Sequence, residues 1–107
     1  MTDDSTLGGY LDRHARPPAF EGRDGRAYSV AVYVDDAPGA DGRFGAALLF
    51  VRWTAEGDRP EGHVESDYLG FGATVQDAEA GLRKLSLWEV KSQLDRAIER
   101  SQAVPEW

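Results

Sequence analysis

The sequence predicts an α+β fold in which a three-stranded antiparallel meander is crossed by one long C-terminal helix. Residues 26–35 alternate in polarity, residues 43–54 are largely apolar on both parities, and residues 74–101 contain no proline and one glycine. The first two patterns are typical of strands, and the third is typical of a helix. The sheet becomes four-stranded if the segment around Phe20 adds a strand.

The N-terminal segment is expected to form a short helix before the sheet. Three apolar residues recur there at helical spacing, namely Leu7, Tyr10 and Leu11. Ser5 or Thr6 can cap this helix, and the prolines at 17–18 follow it. The alternative is an extended arm with the same three anchors, because two adjacent glycines weaken a helix.

The two long strands form the centre of the predicted sheet. The first runs from Arg26 to Asp35, and its even-numbered residues form the expected core face: Tyr28, Val30, Val32 and Val34. The second runs from Arg43 to Thr54 and is apolar on both faces, as is typical of a central strand covered on both sides. The helix can cover one face only, so the other needs a second cover. Left in water, Tyr33, Phe44, Leu48 and Phe50 would mark an interaction surface.

The third strand is predicted from His63 to Phe71. Its core parity is inconsistent, because Val64 and Tyr68 point to one face while Leu69 and Phe71 point to the other. A bulge near residues 67–69 would reconcile the two sets. Short loops at 36–42 and 55–62 make successive strands neighbours, which gives the order α-β-β-β-α, or β-β-β-α if the first helix fails.

The C-terminal helix is predicted from Thr74 to about Ser101. Thr74 is followed three residues later by Asp77, a capping pattern that also places negative charge at the positive end of the helix dipole. Arg96 and Arg100 suit the last turns, and Pro105 cannot continue the helix. We therefore expect one uninterrupted helix.

The apolar stripe of this helix changes direction halfway along. At about 100° per residue, its first half shares one side: Val75, Ala78, Leu82 and Leu85. The second half clusters on a different side: Leu87, Val90, Leu94, Ala97 and Ile98. A helix with two successive apolar faces touches two surfaces, so the second half should meet either the N-terminal segment or a second copy. A kinked helix with both halves on one core is the alternative.

The doubly apolar strand and the displaced stripe together predict a homodimer. The expected interface residues are Phe44, Leu48, Phe50, Leu87, Val90, Leu94 and Ile98. Because a two-fold contact buries the same patch twice, these residues need no separate partner.

Composition limits the function classes. The 107-residue chain has a net charge of −7 and no cysteine. It is long enough for one domain, expected at residues 6–104, with a disordered tail at 1–5 and a C-terminal tail at 105–107. The missing cysteine excludes disulfides and thiolate chemistry, and the acidity disfavours nucleic acids and anionic membranes. With neither a membrane-length apolar run nor a signal-peptide pattern, we expect a soluble cytoplasmic protein.

One strand face offers metal ligands. His63, Glu65 and Asp67 alternate, so they would project from the same face, with Asp35 or Asp36 available as a fourth ligand. The same alternation also fits a solvated face in an acid-rich chain.

Other candidate chemistry is sparse. His14 could act as a general base oriented by Asp12 or Glu21, or simply end the first helix as an exposed polar residue. The tryptophans Trp53, Trp88 and Trp107 could line a ligand pocket, but Trp53 and Trp88 also suit core or interface anchors. No Gly-x-Ser-x-Gly motif is present. Acyl-transfer chemistry therefore has no support, and we expect no cofactor.

The order α-β-β-β-α resembles that of double-stranded-RNA-binding domains. Those domains place lysines at the start of the last helix to contact phosphates. Gln76, Asp77 and Glu79 stand there in this chain, so RNA binding is not implied.

These observations favour a small non-enzymatic interaction protein that self-associates, in a structural, regulatory or chaperone-like role. The alternative is a small-ligand- or metal-binding module, or a small enzyme, with its site between the sheet and the helix.

Overall fold

The fold is a two-layer α+β arrangement, as the sequence predicts. The structure is a computed structural model that describes residues 5–14, 16 and 18–103. The elements in order are α1 (Leu7–Arg13), β1 (Ala19–Glu21), β2 (Ala27–Val34), β3 (Phe44–Trp53), β4 (Pro60–Glu65), β5 (Gly70–Gly72), α2 (Val75–Arg83) and α3 (Leu87–Ala103). The predicted tails lie outside the described residues, apart from Ser5. No helix in the described ranges is long and apolar enough to cross a membrane.

The sheet is an antiparallel meander in the order β1-β2-β3-β4, and β5 also pairs with β3. The optional strand around Phe20 exists as β1, in which Phe20 lies opposite Tyr28. The predicted third strand is instead two strands, β4 and β5. Between them, Ser66 and Leu69 donate their N–H groups to the carbonyls of Leu48 (2.9 Å) and Ala46 (2.8 Å). The inward-facing side of the chain therefore changes between β4 and β5, where the strand pairing with β3 is interrupted.

The hydrophobic core lies between one face of this sheet and the helices. The even-numbered residues of β2 and β3 point into it, which confirms the predicted core face of β2. The buried cluster comprises Leu7, Tyr28, Val30, Ala46, Leu48, Phe50, Ala78, Leu82, Val90, Leu94 and Ile98. Helix α1 does form, and Leu7 anchors it in this core at 1% exposure.

The predicted long helix is wrong in one respect, because it is two helices separated at residues 84–86. Ser86 caps α3: its Oγ accepts from the Glu89 N–H (3.0 Å), and the Glu89 carboxylate accepts from the Ser86 N–H (3.1 Å). This reciprocal capping box starts a new helix. The N-terminal segment then pairs with the break. Leu7 donates to the Leu85 carbonyl (2.8 Å), and Leu87 donates to the Ser5 carbonyl (2.7 Å).

The break corrects the predicted interface. Because α3 starts in a new direction, both stripes reach one core, which is the kinked alternative. Val90 and Leu94 are 0% exposed and Ile98 is 2% exposed in a single chain, so they cannot face a second copy. Leu48 and Phe50, at 0% exposure, belong to the same core. Of the predicted interface, Phe44 and Leu87 are half-buried.

Candidate functional site

Helices α2 and α3 pack on one face of the sheet, and we call the opposite face the outer face. It is formed by odd-numbered residues, because odd residues of β2 lie opposite odd residues of β3, as Tyr33 lies opposite Ala47. β1 and β4 extend it, since Ala19 lies opposite Ser29 and Glu65 lies opposite Leu49. Its residues on these four strands are Ala19, Glu21, Ala27, Ser29, Ala31, Tyr33, Gly45, Ala47, Leu49, Val51, Trp53, His63 and Glu65.

The centre of the outer face is apolar and partly open to solvent. Leu49, Val51 and Trp53 follow each other along β3, and all three are half-buried. The Trp53 indole N–H donates to the Ser29 hydroxyl on β2 (3.1 Å), which directs the ring towards the neighbouring strand. Within residues 5–14, 16 and 18–103, these three side chains of β3 therefore stay partly open to solvent.

One end of the outer face is aromatic. Tyr33, Tyr68 and Phe71 are 49%, 47% and 49% exposed, which is unusual for such large apolar rings. The Tyr68 ring lies against Gly45, where an added Cβ would be 3.0 Å from the ring's Cγ atom. Glycine at position 45 therefore lets the ring approach the sheet backbone. Tyr68 and Phe71 meet edge to face, with ring centroids 6.1 Å apart.

Hydrogen bonds and ion pairs fix the orientation of these rings. The Tyr68 hydroxyl donates to the Asp35 carboxylate (2.7 Å). This bond raises the pKa of Tyr68, and together with the Ala37 N–H it lowers the pKa of Asp35, so the hydroxyl stays protonated and the carboxylate ionised. The Arg43 guanidinium lies 5.0 Å from the Phe71 ring centroid.

A cavity of about 250 Å³ opens at this end, and we call it the tyrosine slot. Tyr33 and Tyr68 line it, Ala47 and Leu49 belong to the strand beneath, and Glu65 stands at its margin. Ser66 and Asp67 line it as well, but the Asp67 carboxylate accepts from the Arg100 guanidinium (2.9 Å).

The predicted metal ligands are not brought together. The His63 Nε2 atom lies 4.0 Å from the nearest Glu65 oxygen, and Asp67 is engaged by Arg100. Within residues 5–14, 16 and 18–103, no group of three histidine, aspartate or glutamate side chains could hold a metal ion. Asp35, the suggested fourth ligand, instead accepts from Tyr68.

The remaining candidates also lie apart from one another. His14 ends α1 and stacks on Tyr10 at 4.0 Å between ring centroids, while Asp12 pairs with Arg83 (2.6 Å) rather than orienting the imidazole. Trp88, predicted as a core or interface anchor, begins α3 and is 77% exposed. Trp107 lies outside the described residues.

The alternative prediction places the site between sheet and helix. Among the described residues, a cavity of about 560 Å³ is lined in part by Tyr10 of α1 and by Ser29 and Trp53 of the sheet. A further groove lies at the edge where β4 meets α3. It has a volume of about 360 Å³ and is lined in part by His63, Glu65 and Arg100. Arg100 donates to the Glu65 carbonyl (3.1 Å) as well as to Asp67, so its guanidinium ties α3 to the sheet. His63 and Ser101 both line this groove.

The tyrosine slot was missed by sequence reasoning, although part of its signal was present. Tyr33 was identified as an apolar residue without a cover. Its partnership with Tyr68 depends on the register of β5, which places Phe71 opposite Gly45. Comparisons with family models, curated proteins and solved structures gave no match for this chain.

Proposed function

We propose that the protein is a non-enzymatic interaction protein that forms a homodimer through its outer face. The observation that supports this proposal is the partly exposed row of Leu49, Val51 and Trp53, which lies on the face opposite α2 and α3. The helical side has no comparable surface, because its apolar stripes are used in the chain's own core. The proposed contact surface therefore replaces the predicted one around Leu94.

The size of the outer face suits a small interface. The four strands contain 3, 8, 10 and 6 residues. At about 3.3 Å per residue and about 4.8 Å between strands, they give a face of roughly 430 Å² in projection. A stable interface buries about 800 Å² of accessible surface on each partner. Because side-chain relief makes the accessible area larger than its projection, two such faces can form a modest dimer but not a large obligate one.

The net charge of the chain predicts how the dimer should depend on ionic strength. Each copy carries a net charge of −7, so two copies repel each other at long range. The odd-numbered residues of β2 and β3 are all uncharged, so the contact itself buries no carboxylate there. Salt screens the repulsion between copies but not the apolar contact. The dimer should therefore become stronger as ionic strength rises.

Sedimentation velocity from low to high micromolar concentration tests the proposal, at low and at physiological ionic strength. We expect a monomer–dimer equilibrium that shifts towards the dimer with salt. Val51→Glu should abolish it, because a carboxylate at the centre of the contact would be buried without a partner. Position 51 lies opposite His63, so the new charge meets no carboxylate across the strands in the monomer.

The matched control is Trp88→Glu, which changes an aromatic residue that is 77% exposed on the helical layer. It should sediment as the unmodified chain does, and circular dichroism should show that both variants keep the fold. A monomer at every concentration and salt condition, or equal loss of dimer in both variants, would overturn the proposal.

A further inference from the structure

The tyrosine slot is better suited to a cation than to another apolar group. Two aromatic rings line it, and each ring carries negative potential on its face. The Glu65 carboxylate is exposed and lines the slot, and the His63 imidazole lies 4.0 Å from it. The Asp35 carboxylate stands behind Tyr68, within hydrogen-bonding distance of its hydroxyl. A cation in the slot would therefore meet ring faces and carboxylates together.

The slot is held in shape before any ligand arrives. Tyr68 is fixed on three sides, by the backbone at Gly45, by the hydrogen bond to Asp35 and by the edge of Phe71. Tyr33 projects from the end of β2, and the small Ala47 opposite it leaves the space between the two tyrosines open. A preorganised site loses less entropy on binding, which is how a small surface gains affinity.

The neighbouring ring shows which cation fits this surface. Arg43 places its guanidinium 5.0 Å from the Phe71 centroid, and its Nε–H donates to the Asp41 carboxylate (2.9 Å). A ring and a carboxylate thus hold one guanidinium a few ångströms from the slot. Tyr68 and Glu65 repeat this combination of groups. A guanidinium is planar and weakly hydrated, so it stacks on aromatic rings more readily than an ammonium does.

We propose that the tyrosine slot binds an arginine side chain from a basic segment of a partner protein. The guanidinium would stack between Tyr33 and Tyr68 and donate to Glu65. The net charge of −7 would draw a basic segment to the surface, and the slot would select the side chain. This inference does not rest on the proposed dimer, because salt should weaken arginine binding and strengthen the dimer.

The test uses the labelled full chain at nanomolar concentration, where a micromolar dimer is dissociated. The probe is a short capped peptide of alternating glycine and arginine, followed by microscale thermophoresis. The same peptide with citrulline in place of arginine is the neutral control, since citrulline has nearly the same shape without the charge. We expect binding of the arginine peptide that weakens with salt, and at least tenfold weaker binding of the citrulline peptide.

Two pairs of variants separate the slot from general acidity. Glu65→Gln and Tyr33→Leu should each weaken binding about three- to fivefold, as expected for one exposed ion pair or one cation–π contact. Glu79→Gln removes the same charge from α2, and Trp88→Leu removes an exposed ring from α3; both should bind within about twofold of the unmodified chain.

A third variant tests the preorganisation of the slot. Gly45→Ala leaves every charge in place but adds a Cβ 3.0 Å from Tyr68 Cγ, so the ring must shift by a few tenths of an ångström. This shift should weaken binding about threefold. Equal affinity for the arginine and citrulline peptides would overturn the proposal. Equal weakening by Glu65→Gln and Glu79→Gln would overturn it too, because the attraction would then come from net charge alone.

Discussion

Two glycines that touch where α2 crosses β5 should respond to alanine in opposite ways. An added Cβ at Gly70 would lie 2.6 Å from the Ala78 carbonyl oxygen and 2.6 Å from Leu82 Cδ1. The Leu82 methyl group can rotate, but the carbonyl oxygen belongs to the helix backbone and moves only with α2. At Gly81 the nearest atom to an added Cβ is the Gly70 Cα, at an ordinary 3.5 Å.

The magnitudes follow from these distances. Overfilling a packed site costs about 1–3 kcal/mol, and alanine returns about 0.4–1 kcal/mol by restricting the unfolded chain. Gly70→Ala should therefore lower the free energy of unfolding by about 1–2 kcal/mol. Gly81→Ala should raise it by up to about 1 kcal/mol, because alanine favours a helix interior over glycine by that amount. Position 81 is the matched control, since it bears the same change on the other side of one contact.

Urea unfolding followed by far-ultraviolet circular dichroism measures both effects. The two midpoints should move in opposite directions, with unchanged slopes. A Gly70→Ala variant as stable as the unmodified chain would refute the close approach of α2 to β5. A destabilised Gly81→Ala variant would refute the free space beside position 81.

Three further predictions concern the core, the alkaline limit of stability and the helix break. Leu94→Glu should unfold the monomer rather than dissociate a dimer, because residue 94 is 0% exposed and a lone carboxylate there has no partner; circular dichroism checks this. Burial and then the hydrogen bond to Asp24 raise the pKa of Tyr28 from 10.0 to about 12. The stability this gives is complete below pH 10 and is lost as the pH rises towards 12, so Tyr28→Phe should flatten that decline in urea unfolding at graded pH. Ser86→Ala should cost about 1 kcal/mol in the same assay, because Glu89 loses the side-chain acceptor of its N–H.

The core face of the strands could be predicted because alternate side chains of an extended chain always share a face. Tyr28, Val30, Val32 and Val34 share a face in any extended chain, so the core face of β2 followed from spacing alone. The division of the third strand into β4 and β5 was harder to predict from the sequence. Its parity conflict was visible, but whether a bulge or an interruption resolves it depends on hydrogen bonds from residues 66 and 69 to β3.

The break in the C-terminal helix had a local signal that was overlooked. Ser86 and Glu89 have the same spacing as Thr74 and Asp77, but the former pair lies inside a run of helix-forming residues with no glycine or proline. Because the residues on both sides strongly favour a helix, the capping box does not stand out in the sequence. The decisive contacts are long-range, since the N-terminal segment supplies backbone partners to Leu85 and Leu87. Sequence spacing cannot reveal them.

The error at the helix carried over to the candidate interface. With a single straight helix, the Leu94 stripe has no partner within the chain, so a second copy was needed. With two helices and Leu7 of α1 in the same core, most of the even-numbered face of the sheet is covered. The uncovered surface then lies on the opposite, odd-numbered face, at Leu49, Val51 and Trp53. One wrong helix boundary is therefore enough to assign the predicted interface to the wrong face of the sheet.

The edges of the sheet explain why association should use its face. Exposed edge strands invite pairing with other chains, and natural sheets block them with short strands, prolines and charges. β1 is only three residues long. At the other edge, β4 begins at Pro60 and places Glu61, His63 and Glu65 along the strand. Edge-to-edge pairing would bring these carboxylates of two copies together, whereas the centre of the outer face is uncharged. The outer face is therefore the surface on which two acidic copies can meet with the least repulsion, and its aromatic end is where a basic partner would compete.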